Sequence, residues 1–374
     1  MRKVVLSGSG LYTPPATISN EELVTSFNTY VDTHNRTHAD AIARGERERL
    51  ESSNVDFIER VSGIRNRFVI EKEGILDPER MVPDIPERPT GELSVQAELA
   101  VASAKPALAA AGKSPSEVDA VIVACSSLQR PYPAMAVEVQ HALGCGGFAF
   151  DMNVACSSAT FAIRLAAGMI ADGNADTVLV VSPEICSGQI NFRDRESHFI
   201  FGDASTSVVV EAQDTCRAPG AFEILGSKLV TQFSNNLRSN FGFLIWSAPE
   251  GIGKPDKLFH LRGQSVFKEV VPLVSGLILD HLHELGYGPA DLKRTWLHQA
   301  NRNMNDLIAR KVWGREPSPA ESPLALARYA NTSACASIIV FHEFRDDLSE
   351  GDLGVLCSFG GGYSAANIVL KKVN

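Results

Sequence analysis

The chain has 374 residues, 44% hydrophobic and 21% charged, with a formal net charge of −9. That is enough chain for two domains or a duplicated unit. The acidic balance argues against general nucleic-acid binding, which needs an excess of Lys and Arg to neutralise phosphates. No run approaches the roughly 20 apolar residues of a membrane span, and the opening Met1-Arg-Lys-Val-Val-Leu-Ser is too short for a signal segment. Seven cysteines without a Cys-x-x-Cys pair predict reduced thiols and a cytoplasmic location, rather than a disulfide framework or a metal site.

Val4–Leu11 reads as a strand, followed by a helix capped by Ser19 with acid in its first turn. Residues 30–54 are histidine-bearing and strongly charged, and predict an exposed helical excursion. Residues 56–65 return to a compact element. Residues 71–92 carry four prolines and many charges and predict a surface loop. Leu93–Ala111 predicts an alanine-rich helix closed by Gly112. Val118–Ser126 predicts a buried strand, and 131–144 a turn followed by a helix.

The next stretch is the one around which the chain is organised. A short strand runs to Val154, and Cys156 sits at the turn. Ser157–Ala171 is a helix of small and apolar residues whose one charge is Arg164, with Gly173 as a left-handed cap. A buried cysteine is most often a small hydrophobe. At a helix start, however, the positive end of the dipole favours the thiolate.

Residues 176–182 and 205–211 predict two further buried strands, and alternation with helices predicts an α/β layered fold with parallel pairing. Residues 214–265 read as an irregular connection. Ser265–Leu285 is a helix, with apolar residues at 267, 270, 271, 274, 277 and 278 on one face. His298 ends a strand. Asn331 opens a helix, where an asparagine is also a favoured N-cap. Residues 354–370 read as two strands across the run Phe359-Gly-Gly-Gly362.

Gly202–Glu211 aligns without gaps on Gly361–Leu370, and the order of elements around them repeats, so the chain reads as two copies of one unit. Thiolate, imidazole, carboxamide and a glycine loop able to aim N–H groups are the parts of a thioester-handling enzyme.

Taken together, Asn-Val-Ala-Cys156-Ser-Ser, His298-Gln-Ala-Asn301, Asn331-Thr-Ser and Phe359-Gly-Gly-Gly362 resemble the signature motifs of the β-ketoacyl-acyl-carrier-protein synthase III family of the thiolase superfamily. Ser-Gly-Ile-Arg65 and Phe201-Gly-Asp203 match as well, and the similarity covers most of the chain. The resemblance implies a homodimer of thiolase-like five-layered αβαβα subunits. Residues 1–213 would form the half with the Cys nucleophile, and 214–374 the half with His and Asn.

It implies that Cys156 takes an acyl group from a donor thioester, and that His298 and Asn331 stabilise the enolate formed as a malonyl thioester loses CO2. The Cys156 and Gly361 N–H groups would form the oxyanion hole. No metal and no redox cofactor are implied. Phe57, Tyr132, Arg195 and Phe359 match substrate-binding positions, with Arg195 facing phosphate. Lys268, Arg310 and Lys311 match positions that dock an acidic acyl carrier protein.

The sequence departs from the short enzymes of the family at three places. Phe57 and Val61 stand where a Trp and an Arg clamp the CoA adenine, so the cation–π half of the clamp is expected to be missing. Segments 30–54 and 71–92 are insertions. Tyr132 replaces the Phe that a partner subunit lends to the acyl pocket. Two alternatives stay open: a sibling ketosynthase or acyltransferase of specialised metabolism, and a catalytically silent partner subunit. The loop from Ser126 to Met135 has no carboxylate, which disfavours a sibling that uses a glutamate base. The presence of Cys156 disfavours the silent subunit.

Overall fold

The computed structural model describes residues 2–373. It opens with β1 (Val4–Tyr12), β2 (Ala16–Ser19) and α1 (Asn20–Thr37). Ser19 caps α1 in a reciprocal pair: its own N–H donates to the Glu22 carboxylate at 2.9 Å, and Glu22 N–H donates to Ser19 Oγ at 3.2 Å. α2 (Ala39–Ala43) extends the helical excursion, but residues 44–54 beyond it are irregular. α3 (Val55–Ser62) ends at left-handed Gly63, and β3 (Asn66–Val69) returns to pair antiparallel with β2.

After the short α4 (Glu73–Leu76) comes α5 (Val95–Ala111), capped by Ser94 and closed by Gly112. The rest of the first half is β4 (Ala120–Ala124), α6 (Met135–Leu143), β5 (Phe148–Met152), α7 (Ser158–Ala171), β6 (Thr177–Glu184) and β7 (Ala204–Ala212). The second half holds β8 (Ala221–Thr231), the short pair β9 (Leu237–Arg238) and β10 (His260–Leu261), α8 (Gly263–Glu284), β11 (Leu292–Leu297), α9 (Arg302–Trp313), α10 (Leu326–Tyr329), α11 (Cys335–Glu343), β12 (Leu353–Gly360) and β13 (Ser364–Val373).

Nine strands share one hydrogen-bonded order, β11-β12-β13-β8-β1-β7-β6-β4-β5. It falls into two limbs of the same plan. β4–β6 is parallel, while β6–β7 and β7–β1 are antiparallel. β11–β12 is parallel, while β12–β13 and β13–β8 are antiparallel. β7 and β13, which hold most of the two aligned ten-residue stretches, occupy equivalent places. β5 adds a further parallel strand at the first limb's edge, and a brief β1–β8 pairing joins the limbs.

The expected parallel sheet is therefore mixed. Continuous apolar strands signal burial on both faces, and here helices cover both faces of antiparallel strands as well.

The period of two along each strand sorts the layers. Val121, Val123, Leu179 and Val181 pack outward with the buried faces of α5 and α6. Their neighbours Ile122, Val178, Val180 and Val208 pack inward with α7 and α11. In the other limb Val355, Cys357 and Val369 pack outward with α8 and α9, while Leu356, Ile368 and Leu370 join the central core. The result is five layers, αβαβα, with α7 and α11 in the middle. Full burial of a side chain such as Ile163 or Ile338 stabilises by about 1.5–3 kcal/mol.

Two expectations about irregular segments need correction. Residues 221–231 form a central strand, because β13 and β1 supply its hydrogen bonds although its own sequence, interrupted by Glu223, Ser227 and Lys228, does not alternate cleanly. Residues 71–92 are not simply a surface loop: Ile75 and Met81 are buried with Phe27, Val31 and Ile58 in a separate core. The two insertions are thus anchored in a subdomain beside the cavity described next. Among the described residues, no helix is long and apolar enough to cross a membrane.

Candidate active site

Cys156 lies between β5 and α7, on a turn that the chain holds under strain. Ala155 has φ 48°, a left-handed conformation for a residue with a Cβ, costing about 1–3 kcal/mol. Asn153 Oδ1 accepts the Ala155 N–H at 2.9 Å, and Ser158 Oγ accepts the Val154 N–H at 2.8 Å, which fixes the turn. Ala330 (φ 56°) and Ser333 (φ 51°) lie on either side of Asn331, so three of the four left-handed non-glycine residues among the described residues lie within two residues of Cys156 or Asn331.

The glycine run closes over this turn. The Cys156 and Gly361 backbone N–H groups pull the thiol down and so favour its thiolate. Ser157 Oγ donates to Ser364 O at 3.0 Å, and Ser364 Oγ lies 3.1 Å from both Val154 O and Gly361 O. These contacts join the loop after β12 to the cysteine turn.

Burial nevertheless dominates at rest and pushes the Cys156 thiol up to about 11. The Ser333 hydroxyl and the two N–H groups pull it down, and the Glu184 carboxylate pushes it up. The expected bias to thiolate at a helix start is therefore outweighed in the unliganded site by desolvation.

His298 follows β11. Its N–H donates to Cys357 O at 2.8 Å, its carbonyl accepts Asn305 Nδ2 at 2.8 Å, and its ring meets Phe359 edge-on at 5.1 Å. Burial holds the imidazole down to about 3, so it is neutral at physiological pH, and its Nδ1 has no hydrogen-bond partner.

Asn331 is not the cap of a helix, since α11 begins at Cys335. It pairs by backbone with Ile200 O and Gly202 N–H. Its Oδ1 accepts the Ser333 N–H at 2.9 Å, which leaves the amide NH2 as the donor for the cavity.

Cys156, His298 and Asn331 line one cavity of about 520 Å³ whose other walls are largely apolar and include Phe57, Phe201, Phe259 and Phe359. Lys268 also lines it, whereas Tyr132 does not and is 82% exposed. Arg195 is not among the residues that line this cavity. Its guanidinium lies 4.5 Å over the Phe57 ring, and Nε donates to Ser52 O at 2.9 Å. The cation–π partner expected to be missing is thus supplied from another loop, and it covers the ring. Arg310 is ion-paired with Glu316 at 2.6 Å, and Lys311 is exposed in the last turn of α9.

Two functional candidates were not foreseen. Ser333 reaches the Cys156 sulfur from within the Asn331-Thr-Ser motif. Glu184 is fully buried at the end of β6, and accepts Ser126 N–H at 2.8 Å, Ser126 Oγ–H at 2.6 Å and Ala334 N–H at 3.2 Å. A carboxylate that ends a strand whose centre is the apolar run Val178–Val181 is the signal that could have found it. Among the described residues, no group of three or more His, Cys, Asp and Glu side chains is placed to hold a metal ion.

Residues 150–232 match the family described as 3-oxoacyl-[acyl-carrier-protein] synthase III, and residues 282–372 match its C-terminal counterpart. A β-ketodecanoyl-[acyl-carrier-protein] synthase of Pseudomonas aeruginosa is 55% identical over 347 residues, covering 93% of this chain and 99% of that protein. A β-ketoacyl-[acyl-carrier-protein] synthase III of Novosphingobium aromaticivorans is 29% identical, covering 96% of each. The crystal structure of the 3-oxoacyl-[acyl-carrier-protein] synthase III of Aquifex aeolicus superimposes with a TM-score of 0.76 at 24% identity, covering 98% of this chain and 99% of that one, and shares the thiolase-like fold.

Proposed function

The chain belongs to the 3-oxoacyl-[acyl-carrier-protein] synthase III family, and we propose that it joins an acyl group carried on Cys156 to the two-carbon unit of a malonyl thioester, with loss of CO2. It is a ketoacyl synthase, an acyltransferase of fatty-acid biosynthesis, and its chemistry requires no metal or redox cofactor. The observation that carries the mechanism is local. Cys156, whose thiolate two backbone N–H groups favour, shares one largely apolar cavity with a neutral imidazole and a carboxamide.

In the first step Cys156 Sγ bonds to the carbonyl carbon of the donor thioester. The oxygen gains charge between the Cys156 and Gly361 N–H groups. The old C–S bond then breaks, and the departing carrier thiol keeps the proton that Cys156 gives up. In the second step the malonyl carboxylate leaves as CO2, and its bonding pair becomes an enolate. The enolate oxygen takes hydrogen bonds from His298 and the Asn331 amide. A neutral imidazole keeps one N–H and can act as a donor without being an acid. The enolate carbon attacks the acyl-cysteine, and the Cys156 thiolate leaves and regains a proton.

The primer we assign is a medium-length acyl chain. The Pseudomonas aeruginosa relative is named for a β-ketodecanoyl product, and because the condensation adds two carbons, its primer would have about eight. The aromatic walls and the volume of about 520 Å³ support that class. The donor we assign is carried by acyl carrier protein rather than CoA. Val61 offers neither charge nor a flat face, and Arg195 already occupies Phe57. Lys268 at the cavity and Lys311 on α9 are the cations for docking.

The active form we propose is a homodimer. The edge strand β5, exposed Phe148 and the protruding Tyr132 support it. Division into halves at 213/214 fits the repeated strand order, and seven free thiols fit the cytoplasm. Peptide mapping after treatment with an acyl thioester tests the core of the proposal. The adduct belongs on Cys156, and an adduct confined to Cys186 or Cys335 would overturn it.

A further inference from the structure

We propose that Ser333 is a further catalytic residue, whose hydroxyl donates to Cys156 Sγ and stabilises the thiolate each time it forms. The proposal rests on Cys156 as nucleophile. Ser333 Oγ lies 3.5 Å from the sulfur and is, among the described residues, the one side-chain hydrogen-bond partner that Cys156 has. Ser333 is 2% exposed, so water does not compete for the contact. A charged acceptor makes such a bond roughly twice as strong as a neutral one.

The backbone is arranged around this contact. Ser333 is held at φ 51°, where a residue with a Cβ rarely sits. Its own N–H donates to Asn331 Oδ1 at 2.9 Å, and the next N–H, that of Ala334, donates to Glu184 at 3.2 Å. The same residue therefore aims the amide used on the malonyl oxygen and touches the sulfur used on the acyl group. Glu184 anchors the turn while its charge opposes the thiolate, and the Ser333 hydroxyl offsets that charge.

The role is that of a donor. The hydroxyl keeps its proton throughout, and the proton of Cys156 leaves with the carrier thiol. In the acyl-enzyme the thioester sulfur is a weak acceptor, so the contribution is specific to the states with a charged sulfur. These are the attack on the donor thioester and the expulsion of Cys156 after condensation.

The test is the pH dependence of Cys156 alkylation by iodoacetamide in full-length Ser333→Ala and Ser333→Gly, read by peptide mass. Glycine removes the hydroxyl and relieves the left-handed strain, so it separates the hydroxyl from backbone geometry and can be read even if the alanine variant is unstable. The expected result is an upward move of the Cys156 titration by about one pH unit in both, which is about tenfold slower alkylation at neutral pH. A wild-type profile in Ser333→Gly overturns the proposal. Failure of the wild type itself to be acylated at Cys156 would instead overturn the assignment of the nucleophile.

Discussion

The Gly360 backbone runs so close to Cys156 that a Cβ built on the glycine would lie 2.8 Å from Cys156 Cβ and 2.9 Å from its nitrogen. Neither atom can swing away, since both belong to the strained nucleophile turn. Gly360→Ala is predicted to push Cys156 from its N–H groups and cut self-acylation by at least about a hundredfold, the scale of losing one oxyanion donor. Stopped-flow acylation together with a melting curve checks this. A variant that melts like the wild type and acylates at its rate would refute the close approach.

His298 and Asn331 are predicted to matter mainly after acylation. His298→Ala and Asn331→Ala should still form the acyl-enzyme, yet lose about 10²–10³ in malonyl decarboxylation, measured as released CO2. Near-normal condensation by either variant would remove it from the second step.

What the sequence disclosed and what it hid have separate physical causes. Cys156 and His298 stood out because each is polar beside an apolar element, Asn331 because of the motif Asn331-Thr-Ser although it opens no helix, and β7 and β13 because their stretches align. The left-handed Ala155 left no trace, since alanine gives no sign of positive φ. β8 was hidden because its pairing depends on β13 and β1, remote in sequence. The contact of Arg195 with Phe57 was hidden for the same reason: it joins two separate loops.

Glu184 raises the Cys156 titration through its charge, with burial the larger cause. Wild-type alkylation should therefore keep climbing from neutral pH toward about pH 11. Removing a negative charge lowers a nearby thiol's pKa, so Glu184→Gln should move the climb to lower pH. One oxygen, Oε1, accepts both the Ser126 and Ala334 N–H groups, and the amide oxygen can keep both. The amide NH2 then stands where Oε2 accepted the Ser126 hydroxyl, so the variant should lose only about 0.5–1.5 kcal/mol of stability. An unchanged alkylation profile in a folded Glu184→Gln protein would count against the electrostatic role.

Carrier choice is testable with one acyl chain on two carriers. kcat/KM should favour the acyl carrier protein, and Lys311→Glu should lower that value while leaving the CoA reaction in place. Arg310→Glu should have less effect, because Glu316 already pairs with Arg310. Equal or better use of acyl-CoA by the wild type would reverse the assignment.

The central claim is a decarboxylative condensation through acyl-Cys156, and sequential intact-mass measurement tests it most directly. Incubation with an eight-carbon acyl thioester should add one acyl group to the wild type and none to Cys156→Ala. Addition of malonyl-acyl carrier protein should then remove that mass, release one CO2 per acyl group, and leave a β-ketoacyl chain two carbons longer on the carrier protein. An acyl-enzyme that yields only free fatty acid, or β-ketoacyl product from Cys156→Ala, would contradict the account.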